Sequence, residues 1–158
     1  MSGSVFSTDN RCAALPAKIR KLAPNARNTA LCALLLVDGG LSAQQALATA
    51  LAHVAASKAT QGEGVSAPGL TAVERNLCSE LVYGYLRTEI RIAFILSKVL
   101  PRPQSLPRPL QHVLGLAVYG LLFQDRVPDH AAVFTAVETA RALYGLGLAK
   151  VVNGALRS

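Results

Sequence analysis

Three features of this sequence predict an all-α fold, a compact bundle of about seven helices around a central apolar helix. Apolar residues make up 51% of the 158 positions but aromatics only 5%, with no Trp. A core must therefore be built mostly from Ala, Leu and Val, the composition of closely packed helices. Apolar side chains recur at three- and four-residue spacings along most of the chain, and no segment alternates as a strand would. Residues 110–123 are apolar nearly all round, with Gln111 and His112 as the polar exceptions. A helix of that kind is central and surrounded by others. The length suits one domain, expected over residues 25–157.

Taken in order, residues 1–24 carry Ser, Gly, Thr, Asn and two prolines. They are expected to form a mobile basic arm, with a short turn of helix near 17–22. Asn25 caps a helix that runs to about Val37 and closes at Gly39-Gly40, with Leu31, Leu34 and Leu35 as its buried ridge. Ser42 caps the next helix, whose stripe is Ala46, Leu47, Ala50, Leu51 and Val54. Residues 58–69 read as a flexible loop. Thr71 and Glu74 form a capping box that opens a helix with Val73, Leu77, Leu81 and Tyr85 turned inward. Gly84 lies inside this helix, at a cost of about 1 kcal/mol relative to Ala, so close approach of another helix is the expected compensation. A separate helix is expected over about Glu89–Leu100, and the four prolines of residues 101–109 mark a connector.

Beyond the central helix, Pro128 disfavours helix at Val127, and Asp129 is a good N-cap for a helix over His130–Tyr144. Ala131, Phe134, Val137, Ala140 and Tyr144 form its apolar stripe, and Glu138 and Arg141 can pair in water. Gly145 and Gly147 interrupt, and a last helix follows over Leu148–Leu156. Asn153 sits there among Val151, Val152 and Ala155. Such an amide, when buried, needs a partner, most simply a backbone group at the end of a neighbouring helix, which gives Asn153 a structural role.

Charge is the main pointer to function. The net charge of +7, with a pI near 9.8, favours a polyanionic partner. Arg11, Lys18, Arg20, Lys21 and Arg27 stand without an acid between Arg11 and Val37, and Arg87, Arg91, Lys98, Arg102 and Arg108 are opposed only by Glu89. Chemistry is harder to find. His53, His112 and His130 lie on three different segments, with neither metal-ligand spacing nor a nucleophile signature. Cys12, Cys32 and Cys78 are odd in number and widely spaced, as reduced thiols of a cytoplasmic protein would be. Gly145-x-Gly147 lacks the third glycine of a dinucleotide loop and follows a helix. No charge-free apolar window reaches membrane-span length, and no leader pattern opens the chain. No catalytic residue, metal site, cofactor or membrane contact is expected.

Three blocks carry a resemblance. R-V-P-D-H-A-A-V with V-E-T-A and then V-V-N-G-A-L-R, at residues 126–157, is similar to the end of a NusB-type helical domain. Closest is the version at the N-terminus of the RsmB (Sun/Fmu) ribosomal RNA cytosine-5 methyltransferases. E-R-N-L-C-S-E-L-V-Y-G-Y-L-R, Glu74 to Arg87, resembles that family's central helix, and Arg27-Asn-Thr-Ala30 its first. The resemblance implies an RNA-binding module, recognising ribosomal RNA, without the Rossmann-like domain that holds S-adenosylmethionine and the cysteine nucleophile. It also admits a stand-alone antitermination factor of the NusB type. The H-A-A-V after R-V-P-D, and A-L-R in place of a more acidic ending, depart from simple NusB.

The residues expected to contact RNA phosphates are Arg20, Lys21 and Arg27, joined by Arg75 and Arg87. Backbone-dominated binding follows, because Tyr83, Tyr85, Tyr119 and Tyr144 fall in helical, mostly buried patterns. A competing reading is a module that docks a methyltransferase domain or a small-subunit ribosomal protein, and a third is a plain helical scaffold. A contiguous positive face favours the first, and an exposed apolar patch the second.

Overall fold

The computed structural model describes residues 12, 14–59 and 69–158. Its helices are α1 (Ala17–Arg20), α2 (Ala26–Asp38), α3 (Ala43–Ala59), α4 (Ala72–Val99), α5 (Arg108–Phe123), α6 (Asp129–Tyr144) and α7 (Leu146–Arg157), with a 3-10 turn at Pro103–Ser105. No strand occurs among the described residues. Helix α5 packs against α2, α4, α6 and α7, and its residues from His112 to Gly120 are all buried. The apolar helix is therefore the axis of the bundle. The expected caps form: Asn25 accepts from the Asn28 amide, Ser42 and Gln45 bond reciprocally, and Thr71 and Glu74 close a capping box.

Two glycines set how closely α4 and α5 approach. A Cβ on Gly84 of α4 would overlap the Tyr119 hydroxyl, and one on Gly115 of α5 would overlap the Tyr85 ring. Each helix thus receives the other's tyrosine where its own side chain is missing, the close approach expected at Gly84.

Several boundaries and faces differ from the sequence reading. Helix α4 runs unbroken for 28 residues, where two helices were expected. No proline or glycine separates Tyr85 from Glu89, and the Thr88 hydroxyl donates back to the Gly84 carbonyl at 2.8 Å, so nothing stops the helix. Val73, expected inside, is 77% exposed on the first turn. The buried face of α6 is Ala132, Ala136, Thr139, Ala140 and Leu143, rotated from the predicted stripe so that Phe134 faces outward. Small residues let α6 lie close against its neighbours; Phe134 would hold it off. The N-cap of α6 is Pro128, and Asp129, expected to cap, is its first helical residue and makes no side-chain cap bond. Its charge still suits the positive end of the helix. Asn153 is only half-buried, and its Oδ1 accepts from Arg157 Nε at 2.8 Å in the same helix. No neighbouring helix end is involved.

The arm and loop expectations fall partly outside the described residues, at 1–11, 13 and 60–68. Where it is described the arm is docked, not loose: Cys12, Leu15 and Ile19 are buried in the main core.

The far end of the bundle is held by a polar network. Arg108 at the start of α5 grips Asp38 at the end of α2 with two bonds, Nε–Oδ2 at 2.9 Å and Nη2–Oδ1 at 3.0 Å. Buried His112 places Nε2 at 2.6 Å from Asp38 Oδ2 and Nδ1 at 3.2 Å from the Tyr85 hydroxyl. The carboxylate can only accept, so Nε2–H donates to it, and neutral His112 accepts from Tyr85 at Nδ1. Burial pushes the His112 pKa down, outweighing the pull of Asp38. Burial alone would raise Asp38, but hydrogen bonds from Arg108 and His112 outweigh it and hold the carboxyl below its ordinary range.

Candidate nucleic-acid interface

The candidate interface lies at the opposite end of α2. Pro24 precedes the extended cap residue Asn25, and α2 begins at once. In its first turn Asn28 donates from Nδ2 to the Ala23 carbonyl at 2.9 Å, and its Oδ1 accepts from the Thr139 hydroxyl of α6 at 2.9 Å. Thr29 bonds back to the Asn25 carbonyl at 2.8 Å. Together these bonds lock the end of the arm to α2 and α6. Arg20 is pinned in turn, its Nε donating to the Leu15 carbonyl at 3.2 Å. Exposed Arg20 and Lys21 consequently border a cleft of about 390 Å³ between the arm, α2 and α3, with Thr29, Cys32, His53 and Val54 among its walls. The Nε2 of His53 is buried without a hydrogen-bond partner.

Arg27 points elsewhere. It lines a narrow crevice between α2, α5 and α6, and its guanidinium lies over Gly120, where a Cβ would come within 3.1 Å of Nη1. Arg27 Nη1 is buried without a partner, as is Gln124 Oε1 beside it. Burial lowers the Arg27 pKa, although an arginine stays charged at neutral pH. None of the ion pairs among the described residues involves Arg27. Its charge is thus partly desolvated and unneutralised, a costly state that an anion relieves. Asn28 lines both cleft and crevice, with Arg20 and Lys21 at the cleft and Arg27 in the crevice.

Arg75 and Arg87 do not join this group; neither lines the cleft or the crevice. Arg75 Nη1 donates to the Leu70 carbonyl at 2.7 Å, and Arg87 lies about 18 Å further along α4. There it borders an open hollow with Thr88, Ile90, Arg91 and Phe94. Arg108, a member of the same basic run, is committed to Asp38. Tyr85 and Tyr119 are buried as expected, whereas Tyr83 is 40% exposed. No group of three or more potential metal ligands occurs among the described residues, and the three cysteines are buried. Sequence reasoning missed Asn28, Gln124 and His53 at this site. Nothing in their local pattern sets them apart: Asn28 meets Thr139 from far along the chain, and His53 Nε2 and Gln124 Oε1 are enclosed by the packing of whole helices.

Comparison with known proteins gives the family. The model of the NusB family matches residues 24–158. The chain belongs to the NusB family. Within it, the chain is similar to a probable ribosomal RNA small subunit methyltransferase B of Bacillus subtilis, 36% identical over 89 residues, 56% of this chain and 20% of that protein. The Synechocystis protein of the same description is 38% identical over 105 residues, 66% of this chain and 22% of its own length. A ribosomal RNA small subunit methyltransferase B of Cronobacter sakazakii is 32% identical over 85 residues, 53% of this chain and 20% of the relative. The NusB-family chain thus spans about a fifth of the length of these methyltransferases. No solved structure matches it. No helix among its described residues is long and apolar enough to cross a membrane.

Proposed function

We propose that this NusB-family chain is an RNA-binding module that recognises ribosomal RNA in the cytoplasm, serving as the targeting part of a cytosine-5 methyltransferase and carrying no catalytic group itself. The observation that carries this reading is Arg27, half-buried and without an acidic partner, in a crevice that shares Asn28 with the cleft bordered by Arg20 and Lys21. Three cations without acids in that stretch of sequence suit a phosphate backbone, which fixes register and orientation. Each phosphate contact releases condensed counterion, so log affinity falls linearly with log salt, with a slope of roughly −0.7 per contact for single strands. A folded variant with Arg20, Lys21 and Arg27 all changed to Ala should flatten the slope by about 2 units and lose most affinity at low salt. An unchanged slope and affinity would remove this face as the RNA site. In this reading S-adenosylmethionine is a ligand of another domain, and titration calorimetry of the chain alone with that cofactor should give no heat of stoichiometric binding.

A second reading rests on a separate observation. Ile90 and Phe94, one turn apart on α4, are 89% and 62% exposed, and Arg87 and Arg91 border the same hollow. An apolar strip with a cationic border suits an acidic protein surface, such as that of a methyltransferase domain or a small-subunit ribosomal protein. Retained RNA affinity in an Ile90→Ser/Phe94→Ser variant that no longer co-purifies with a candidate partner would support the two surfaces acting separately.

A further inference from the structure

Resting on the RNA-binding reading, we infer that the cleft between the arm, α2 and α3 receives one unstacked base of a single-stranded RNA, read by His53. Its volume of about 390 Å³ falls at the small end of ligand-site sizes, room for one nucleotide and too little for a paired duplex. The chemistry is divided as a nucleotide requires. Arg20 and Lys21 stand at the rim, where a flanking phosphate would lie, while Ile19, Leu22 and Val54 supply apolar wall for the faces of a base. His53 adds a directional group, a buried Nε2 with no hydrogen-bond partner. A buried polar atom without a partner is rare in folded proteins, and one in the wall of a cationic cleft is explained if a ligand edge completes it. An imidazole nitrogen donates or accepts according to tautomer, so it can meet the carbonyl or the amine of a base edge. Proteins that recognise single-stranded RNA splay bases out and hydrogen-bond their edges in this way. The cleft would then supply what the phosphate contacts of Arg20, Lys21 and Arg27 lack, discrimination among bases.

The test uses the whole chain and short single-stranded homopolymers of adenosine, cytidine and uridine. The wild type should prefer one homopolymer by about tenfold, and His53→Ala should reduce that preference to about twofold while leaving the salt slope unchanged. Because His53→Ala could disturb folding, the His53 ring resonances of the unmodified protein are followed in parallel. The preferred RNA should shift them, while His112, held by Asp38 and Tyr85, serves as the internal reference. An oligomer of the same length that is abasic throughout should leave the His53 resonances unmoved, and a shift produced by it would overturn the base reading. Equal affinity for all homopolymers, or a base preference that survives His53→Ala, would overturn the cleft reading while a salt-dependent slope still upheld phosphate binding. A His53 shift produced by free mononucleotides but not by RNA would equally overturn it. Absence of any salt-dependent RNA binding would sink both readings together.

Discussion

Gly84 and Gly115 carry the closest contact in the bundle, because each leaves the space that the other helix's tyrosine fills. Gly84→Ala should therefore destabilise despite the better helix propensity of Ala, since overpacking a core costs about 1–3 kcal/mol. Thermal unfolding followed by circular dichroism should show Tm lower by roughly 2–4 °C for each kcal/mol lost. An unchanged or higher Tm would mean that Tyr119 has an alternative place to go. Asn153 leads to the opposite expectation. Read from sequence as a buried amide, it would cost about 1–3 kcal/mol to remove. Half-buried and bonded only to Arg157 one turn on, it should tolerate Ala within about 0.5 kcal/mol. A Tm drop as large as that of Gly84→Ala would show that the amide has a partner beyond Arg157.

At the scale of the element, α4 is the informative case. Its start is legible residue by residue, since Thr71 and Glu74 satisfy two orphan amides of the first turn. Thr71→Ala should cost about 1 kcal/mol, detectable as a lower urea midpoint at unchanged slope. Its length is not legible in the same way. A polar, charged stretch such as Arg87-Thr88-Glu89 reads as a boundary when neighbours are unknown. In the fold it continues, with Ile92 and Leu96 buried beyond it and Ile90 and Phe94 left outside. Helix α6 teaches the same lesson about faces. Periodicity offered a stripe with Phe134 in it, but close approach of the neighbouring helices selects the small residues Ala132, Ala136 and Ala140.

For the whole molecule, the network of Asp38, Arg108, His112 and Tyr85 ties α2, α4 and α5 together and couples the fold to pH. His112 has its folded pKa below the ordinary 6.5, so the unfolded chain takes up that proton first as pH falls. The contribution of neutral His112 is complete above 6.5 and declines below it. Asp38 has its folded pKa below 3.8, so its contribution is present above that value and is lost as pH falls through the folded pKa. Both act in one direction. Tm should decline on acidification from neutral pH, first through His112 and then, in stronger acid, through Asp38. His112→Asn should be less stable at neutral pH but lose less on going to pH 5, and a parallel pH profile in the two proteins would assign the loss to other groups.

The sequence by itself determined the helical class, the central position of α5, the caps of α2, α3 and α4, and the need for close packing at Gly84, because each follows from local spacing or from what one residue type can do. Its charge distribution singled out Arg20, Lys21 and Arg27 for the same reason: acids are absent from that stretch. Only the tertiary structure decided which cations share a surface. It left Arg75 and Arg87 apart, paired Arg108 with Asp38, and set Arg27 over Gly120 next to Gln124. It also made a cleft with His53 in its wall. These outcomes depend on groups far apart in the chain, such as Asn28 and Thr139, 111 positions apart, whose side chains are 2.9 Å apart. Contacts at that separation leave no periodic trace, because they are fixed by how whole helices pack against one another and not by any one helix's own pattern.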